Sequence, residues 1–272
     1  TSIYLCPKTK KPLSQDNSGG GLTTEDGVYY PYIKGGGQQN IPNFLSACAL
    51  GGAQKHCLDI YNQTFSIERY RNELDWLFAT FNEDESSFRK KCVEKLNLCR
   101  GDKVLITGCG LGNDIKPIAE AVSFEGEVYA QDLAAEMAIA ATNYIKSCQF
   151  DTKNIHFSVC DAKHLPFSDG FFDGAFHFGG INLFDDIRSS ISEMERVVKP
   201  GGRVVFGDEG VGPWLRDTEY GRIAILNNSL WKVNAPIDLV PKNAADVNLS
   251  WVLGNCFYII SFQVSENEPY MN

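Results

Sequence analysis

Val104-Leu105-Ile106-Thr107-Gly108-Cys109-Gly110-Leu111-Gly112 is the stretch on which the fold of this 272-residue chain turns. A short apolar run reads as a buried strand. Three glycines at alternate positions then make a turn, and Ile115, Ile118, Ala119 and Val122 recur at helical spacing. Pro117 falls in the first turns of that helix, where it does least harm. Glycine lets the backbone approach a ligand closely, and a helix N-terminus offers N–H donors. The spacing is G-x-G-x-G rather than the G-x-G-x-x-G of dinucleotide-binding turns, which weakens that reading.

Downstream, strands alternate with helices. Residues 127–131, 155–160, 172–176 and 203–206 read as strands, and 134–145 and 187–198 as helices, the last stopped by Pro200-Gly201-Gly202. Such alternation implies a parallel sheet with right-handed crossovers. The end of the chain changes pattern. Val247, Leu249, Trp251 and Leu253 alternate with polar residues, Gly254-Asn255 signals a two-residue turn, and residues 258–264 return as a strand. The parallel sheet is therefore expected to finish with an antiparallel hairpin. Upstream, Ile67, Tyr70, Leu74, Leu77 and Phe81 mark one helix, and Phe88, Cys92, Leu96 and Cys99 a second, stopped by Gly101. Residues 1–60 hold 9 of the 25 glycines among short apolar pieces and read as a loop-rich β appendage. The expected division is 1–60 as appendage, 61–100 as a helical lid and 101–272 as the main domain.

Two acids complete the pattern around the glycine turn. Asp132 ends the second strand of the main domain, 20 residues after Gly112, where a carboxylate can accept both hydroxyls of a ribose. Met137 follows on the next helix, within reach of an adenine face. Asp161 ends the third strand, placed to accept from an exocyclic amine. Successive strand ends thus aim polar groups at the edge of the sheet where ligands of open α/β folds bind. Each glycine alone also serves an ordinary tight turn.

The charge distribution narrows the partners. Net charge is −9, and residues 101–212 carry 9 basic against 17 acidic groups, while 1–60 carry 5 and 4 and 61–100 carry 7 and 7. No segment forms a basic stripe, which disfavours long nucleic acids and anionic membrane surfaces. No apolar run approaches the roughly 18 residues of a membrane span, and residues 1–11 show no signal-peptide core, so a cytoplasmic location is expected. Nine scattered cysteines without a C-x-x-C fit reduced thiols, and no metal site is expected.

At this point the chain resembles the class I S-adenosylmethionine-dependent methyltransferases. Residues 104–112 are similar to the family's first motif. Val128-Tyr129-Ala130-Gln131-Asp132 is similar to the second, and Asp161-Ala162-Lys163-His164-Leu165-Pro166-Phe167 followed by Phe171-Phe172-Asp173 to the third. Val197 to Val205 matches the stretch before strand five. The subgroup looks like the small-molecule branch of ubiquinone- and menaquinone-pathway methyltransferases. The resemblance implies a Rossmann-like α/β fold with a seven-stranded sheet, mostly parallel, and helices on both faces. It implies S-adenosylmethionine as cofactor, S-adenosylhomocysteine as its product, and a small-molecule methyl acceptor. By position, Gly108, Cys109 and Gly110 would line the methionine part of the cofactor, and Gly112 belongs to the same cofactor-binding turn. Asp132 would bind the ribose, Leu133 and Met137 would flank the adenine, and Asp161 with Ala162 would hold its amine. The family has an acid where this chain has Thr107. Asp114 is the candidate to hold the cofactor's ammonium group instead.

Methyl transfer from a sulfonium is an in-line displacement in which proximity and orientation supply most of the catalysis. His177, at the end of the fourth strand, is a base or substrate contact on one reading and a structural ring with a cofactor-contacting backbone on the other. Tyr61 would close over the methionine moiety. Tyr70, Trp214 and Arg216 are the candidate substrate contacts, Trp214 as an apolar wall and Arg216 as an anion contact. The N-terminal segment has a fainter resemblance to a small zinc-ribbon-like module, with Cys6 in one ligand position and Thr9 in another. This resemblance keeps a second class of reading open, an RNA-base methyltransferase. Thr107 favours a third, a non-catalytic binding protein on the same fold.

Overall fold

The chain turns back on itself around one strand. In the computed structural model, which describes residues 3–47, 50–148 and 153–266, that strand is Lys103–Thr107, built of β-branched and apolar residues and buried on both faces. Four strands precede it: β1 (Ser14–Gln15), β2 (Gly21–Thr23), β3 (Tyr29–Lys34) and β4 (Asn40–Pro42). Lys103–Thr107 is thus β5. It is followed by β6 (Glu127–Asp132), β7 (Ile155–Val159), β8 (Phe172–Phe178), β9 (Val198–Glu209), β10 (Ala245–Val252) and β11 (Phe257–Gln263). The helices are α1 (Gly52–Tyr61), α2 (Thr64–Phe81), α3 (Glu85–Glu94), α4 (Ile115–Val122), α5 (Ala135–Ser147), α6 (Ile187–Val197) and α7 (Glu219–Asn227).

The main sheet has seven strands in the order β10-β11-β9-β8-β5-β6-β7. Strands β5 to β9 pair in parallel, and β11 runs antiparallel to both β9 and β10. The expected parallel sheet with an antiparallel C-terminal hairpin is what forms. From β5 the chain steps outward through β6 and β7, then returns to place β8 on the other side of β5. The strand order therefore reverses at β5, and a crevice opens there at the carboxyl ends of the strands.

The differences from expectation are local. The hairpin turn spans four residues between the Val252–Phe257 pair, not two, with Leu253, Gly254 and Asn255 all at positive φ. Strand β9 begins at Val198 and runs through Pro200-Gly201-Gly202, with a register shift against β8. Helix α3 is capped by the Asp84 carboxylate, which accepts from the Ser87 amide at 2.8 Å, and it ends at Glu94 rather than Cys99. Helix α1 lies inside the segment read as loop-rich. Its sequence, GAQKHCLDIY, covers less than three turns and follows directly on Gly51, so the glycines mask it.

The N-terminal strands form their own antiparallel sheet, β1-β2-β3-β4. It docks on the edge of the main sheet, where Asn43 bridges Val159 and the Phe44 amide donates to the Val159 carbonyl at 2.8 Å. Leu13, Leu22, Tyr30 and Phe44 share one apolar cluster with Tyr129, Phe167 and Phe172, so the appendage is packed into the main core. Cys6, also in that cluster, places its sulfur 3.1 Å from the Tyr30 hydroxyl. Among the described residues, no group of three or more His, Cys, Asp or Glu side chains is placed to hold a metal. Also among them, no helix is long and apolar enough to cross a membrane.

Candidate active site

The crevice at the reversal of strand order widens into a cavity of about 510 Å³. Its floor is the carboxyl ends of β5, β6, β8 and β9 with the loop after β7, and α1, α2 and the turn 229–232 roof it. One half gathers the glycine turn and the two acids singled out in the sequence. Gly108 and Gly110 sit at φ +59° and +51°. A side chain on Gly108 would meet the His177 ring at 2.9 Å, so only glycine fits. The Tyr70 ring lies against Gly110 and forms an edge-on pair with Tyr61, and both tyrosines line the cavity.

Asp132 is the keystone of this half. One carboxylate oxygen accepts from the Gly110 amide at 2.8 Å and the other from the Ala134 amide at 2.9 Å. These bonds tie the turn after β5 to the turn after β6, and burial still pushes the carboxyl above its usual range. Asp161 takes the Lys163 amide on one oxygen at 3.0 Å. Its other oxygen is buried without a hydrogen bond, 3.8 Å from Lys163 Nζ, and Gln131 Oε1 is likewise buried without a hydrogen bond. Buried acceptors are normally satisfied, so orphans lining a cavity mark where a ligand's donors belong. Leu133, Met137 and Ala162 supply apolar lining beside them.

His177 is fixed by its backbone neighbour. The Thr107 carbonyl, 2.8 Å from Nδ1, can only accept, so Nδ1 carries the proton. Nε2 is left as a buried acceptor without a partner. Burial pushes the ring down to about 4, which keeps it neutral and makes it a poor proton acceptor at neutral pH. Burial likewise pushes the Tyr61 phenol up to about 12.

Some expected site residues stand elsewhere. Asp114 does not line the cavity. It forms a buried ion pair with Arg89 Nη1 at 2.8 Å, and Arg89 also binds Glu85 through Nε at 2.6 Å. Arg89 itself reaches the cavity. Thr107 is fully buried, its hydroxyl between His177 Nδ1 and the Met194 sulfur, so it takes no part in the lining. Gly112 is a packing residue, its α-carbon face set against Ile115 and Ala141. Cys109 donates its amide to the Gln131 carbonyl at 2.8 Å, and burial keeps its thiol protonated behind the turn. Trp214 is 59% exposed and packs edge-on against Trp251, away from the cavity. Arg216 faces its own loop. Its guanidinium donates to the Val211 and Val233 carbonyls at 3.2 and 2.9 Å and to Asn234 Oδ1 at 2.6 Å.

The other half of the cavity was not anticipated. Asp208 and Glu209 end β9, and the side chains facing them come from α2 and from the segment after α7: Glu73, Trp76, Asn228, Leu230 and Trp231. Asp208 accepts the Asn182 and Glu209 amides at 2.7 and 2.8 Å, yet burial pushes it up to about 6. Burial, with the charge of Asp208 beside it, pushes Glu209 up to about 7. The available signal was Gly207-Asp208-Glu209, two acids where an apolar strand ends, at the same edge as Asp132 and Asp161.

Comparison with known proteins finds methyltransferases. Residues 105–206 match the family described as the methyltransferase domain. A demethylmenaquinone methyltransferase from Geobacillus sp. (strain WCH70) is 32% identical over 146 residues, covering 53% of this chain and 56% of that protein. The chain thus spans about half the length of the curated relatives it matches. Among solved structures, a Haemonchus contortus phosphoethanolamine N-methyltransferase 2 complex with phosphomonomethylethanolamine and S-adenosylhomocysteine has a TM-score of 0.61 at 15% identity, covering 77% of this chain and 60% of that one. A geranyl diphosphate C-methyltransferase from Streptomyces coelicolor A3(2) has a TM-score of 0.57 at 14% identity, covering 79% and 100%. At these identities the two structures speak to the fold.

Proposed function

Because the chain carries the class I S-adenosylmethionine-dependent methyltransferase fold, with the methyltransferase domain in residues 105–206, we propose that it transfers a methyl group from S-adenosylmethionine to a small molecule. The observation that carries this reading is the joint arrangement of Gly108, Gly110, Asp132 and Asp161 around one cavity, with three buried acceptors, Gln131 Oε1, Asp161 Oδ2 and His177 Nε2, lacking a hydrogen bond. Asp132 keeps lone pairs for ribose hydroxyls after binding two amides. The orphan oxygen of Asp161 suits an adenine amine, with Met137 and Leu133 against the ring faces. Gly108 and Gly110 leave room for the methionine part, and Tyr61 and Tyr70 screen it from water. Neither Thr107 nor Asp114 is free to hold the ammonium group, so Nε2 of His177 and the backbone of the glycine turn are the acceptors nearest that end.

The cofactor supplies an activated methyl group when bound. The protein's own share is orientation, exclusion of water and an electronegative lining that suits a sulfonium cation. Residues 101–212, with 9 basic and 17 acidic groups, offer no basic surface for RNA, which favours a small acceptor over a nucleic acid. Isothermal titration with S-adenosylhomocysteine tests the reading. We expect saturable one-to-one binding that falls by about tenfold or more in Asp132→Ala, where charged hydrogen bonds to the ribose are lost. No binding at millimolar ligand would sink the proposal, and an unchanged Asp132→Ala would sink the ribose assignment.

A further inference from the structure

The acceptor half of the cavity has a composition of its own. Its carboxylates, Glu73, Asp208 and Glu209, add to Asp132, Asp161 and Asp185 along the rest of the lining. The one arginine or lysine in the described lining, Arg89, is already committed to Asp114 and Glu85. From outside the lining Lys163 pairs with Asp185 at 2.9 Å and Asp161 at 3.8 Å, and Arg69 with Glu73 at 3.5 Å, so among the described residues Asp132, Asp208 and Glu209 are the lining acids without an ion pair. The walls are aromatic. Trp76 and Trp231 stack at 6.5 Å, Trp231 meets Phe257 edge-on at 6.3 Å, and Phe257 stacks on Phe178 at 6.0 Å.

Within this half, Glu209 is held but not consumed. One oxygen accepts from Asn228 Nδ2 at 2.9 Å. The Trp231 indole edge lies beside the carboxyl, yet its N–H closes no hydrogen bond of good geometry, although Trp231 is only 4% exposed. The Glu209 backbone is anchored by Asn182, whose amide donates to the Glu209 carbonyl at 2.8 Å and accepts from the Tyr258 hydroxyl at 2.9 Å. Asp208, pinned by backbone amides, cannot swing to do the same work.

We propose that this half binds a non-anionic methyl acceptor, an amine or a phenol-like hydroxyl on an apolar body, and that Glu209 takes the proton the acceptor releases. The inference rests on the methyl-transfer reading above. The acceptor's N–H or O–H bond breaks, its electron pair stays on the acceptor, and the proton goes to Glu209. That pair makes the new bond to the methyl carbon as the carbon–sulfur bond breaks and sulfur keeps its electrons. A carboxyl titrating near neutrality, as Glu209 does, both takes and returns a proton readily. The groups that set its titration are Asp208, Glu73, Asn228 and Trp231, with Tyr258 and Tyr61 also within its field. An anionic acceptor would meet the field of Asp208 and Glu209 with no free cation in the described lining to answer it.

The test uses the full chain saturated with S-adenosylhomocysteine at pH 8, with binding read by ligand-observed NMR and calorimetry. The probes are phenethylamine, para-ethylphenol and hydrocinnamate, matched in size and differing in charge. Phenethylamine and para-ethylphenol are expected to bind about tenfold more tightly than hydrocinnamate. In Glu209→Gln that preference should collapse to about threefold or less, with S-adenosylhomocysteine affinity unchanged. Hydrocinnamate binding as well as both others, a full preference in the variant, or no binding of either donor at about 10 mM overturns the proposal. Loss of S-adenosylhomocysteine binding in Glu209→Gln also overturns it, because the carboxylate would then serve the cofactor. Whichever of phenethylamine and para-ethylphenol binds more tightly names the donor.

Discussion

The two halves of the cavity carry the same sign of charge and handle it in opposite ways. Beneath the glycine turn, Asp114 is neutralised by Arg89, and Asp132 is fixed by two amides. At the end of β9, Asp208 and Glu209 lie side by side without an ion pair among the described residues, and burial pushes both upward, to about 6 and about 7. One half is shaped by bonds already made, with the hydrogen-bond capacity of Asp161, Gln131 and His177 left for a ligand. The other stores unfavourable electrostatics that a ligand's donors would relieve. The difference teaches that buried acidity in this protein is structural where it is paired and available for chemistry where it is not.

Removing one member of a closed pair should have the largest effect. Arg89→Ala leaves Asp114 buried without its partner and opens a gap beside Phe88 and Cys92. We expect a loss of about 3–5 kcal/mol in urea denaturation, as for other broken buried pairs. A loss within about 0.5 kcal/mol, the usual range for surface substitutions, would mean that the pair holds nothing together.

The two halves also differed in how much the sequence revealed. The strand Lys103–Thr107, the glycine turn, Asp132 and Asp161 were legible because each is a local signal: an apolar run, a glycine spacing, an acid at a strand end. The reversal of strand order follows from them only through the family resemblance. Asp208 and Glu209 were in view as residues, but their role depends on what covers them. Trp76 and Trp231 are 155 positions apart in sequence, and no local pattern brings them together. Helix α1 escaped notice because it is only ten residues long and follows directly on Gly51 in a glycine-rich segment that reads as loop. Cys109, Gly112 and Asp114 were expected at the ligand because the motif lies in one continuous stretch. The chain coils there, so Gly108 and Gly110 face the cavity while Cys109, Gly112 and Asp114 turn away from it.

The second break runs the other way. Glu209→Gln removes an acid whose ionisation burial opposes, so it should stabilise the protein at alkaline pH. The sign follows from linkage. Glu209 titrates near 7 in the folded chain against 4.5 ordinarily, so its stabilising contribution is complete below about pH 4.5 and is lost as pH rises through about 7. His177 opposes this, since its ring is pushed from 6.5 down to about 4, and its contribution is present above pH 6.5 and lost on acidification. In the native chain the slopes of Glu209 and of Asp208, raised to about 6, both oppose that of His177 between about pH 4.5 and 6.5. In Glu209→Gln only Asp208 still opposes His177, so relative to the native chain stability should rise from pH 5 to pH 6.5. At pH 8 the variant should exceed the native chain by roughly 2 kcal/mol, discounted from the full shift because Glu209 keeps some access to solvent. Equal denaturation midpoints for the two proteins at pH 5 and at pH 8 would remove the distinction drawn between the halves.

The smallest effect tests where the acceptor half ends. Arg216 was read from the sequence as an anion contact, and its position after strand five made that reasonable. In the fold its guanidinium spans the loop, tying Val211 to Val233 and Asn234, so its charge serves three local acceptors. Arg216→Ala should therefore cost about 1–2 kcal/mol of stability through lost hydrogen bonds to a charged donor. Affinity for S-adenosylhomocysteine and for hydrocinnamate should stay within about twofold of the native values. The second measurement is the decisive one. If hydrocinnamate binding depends on Arg216, a cation does reach the cavity, the acceptor half is not purely acidic, and the contrast between paired and unpaired acids fails at the point where it matters for the acceptor's charge.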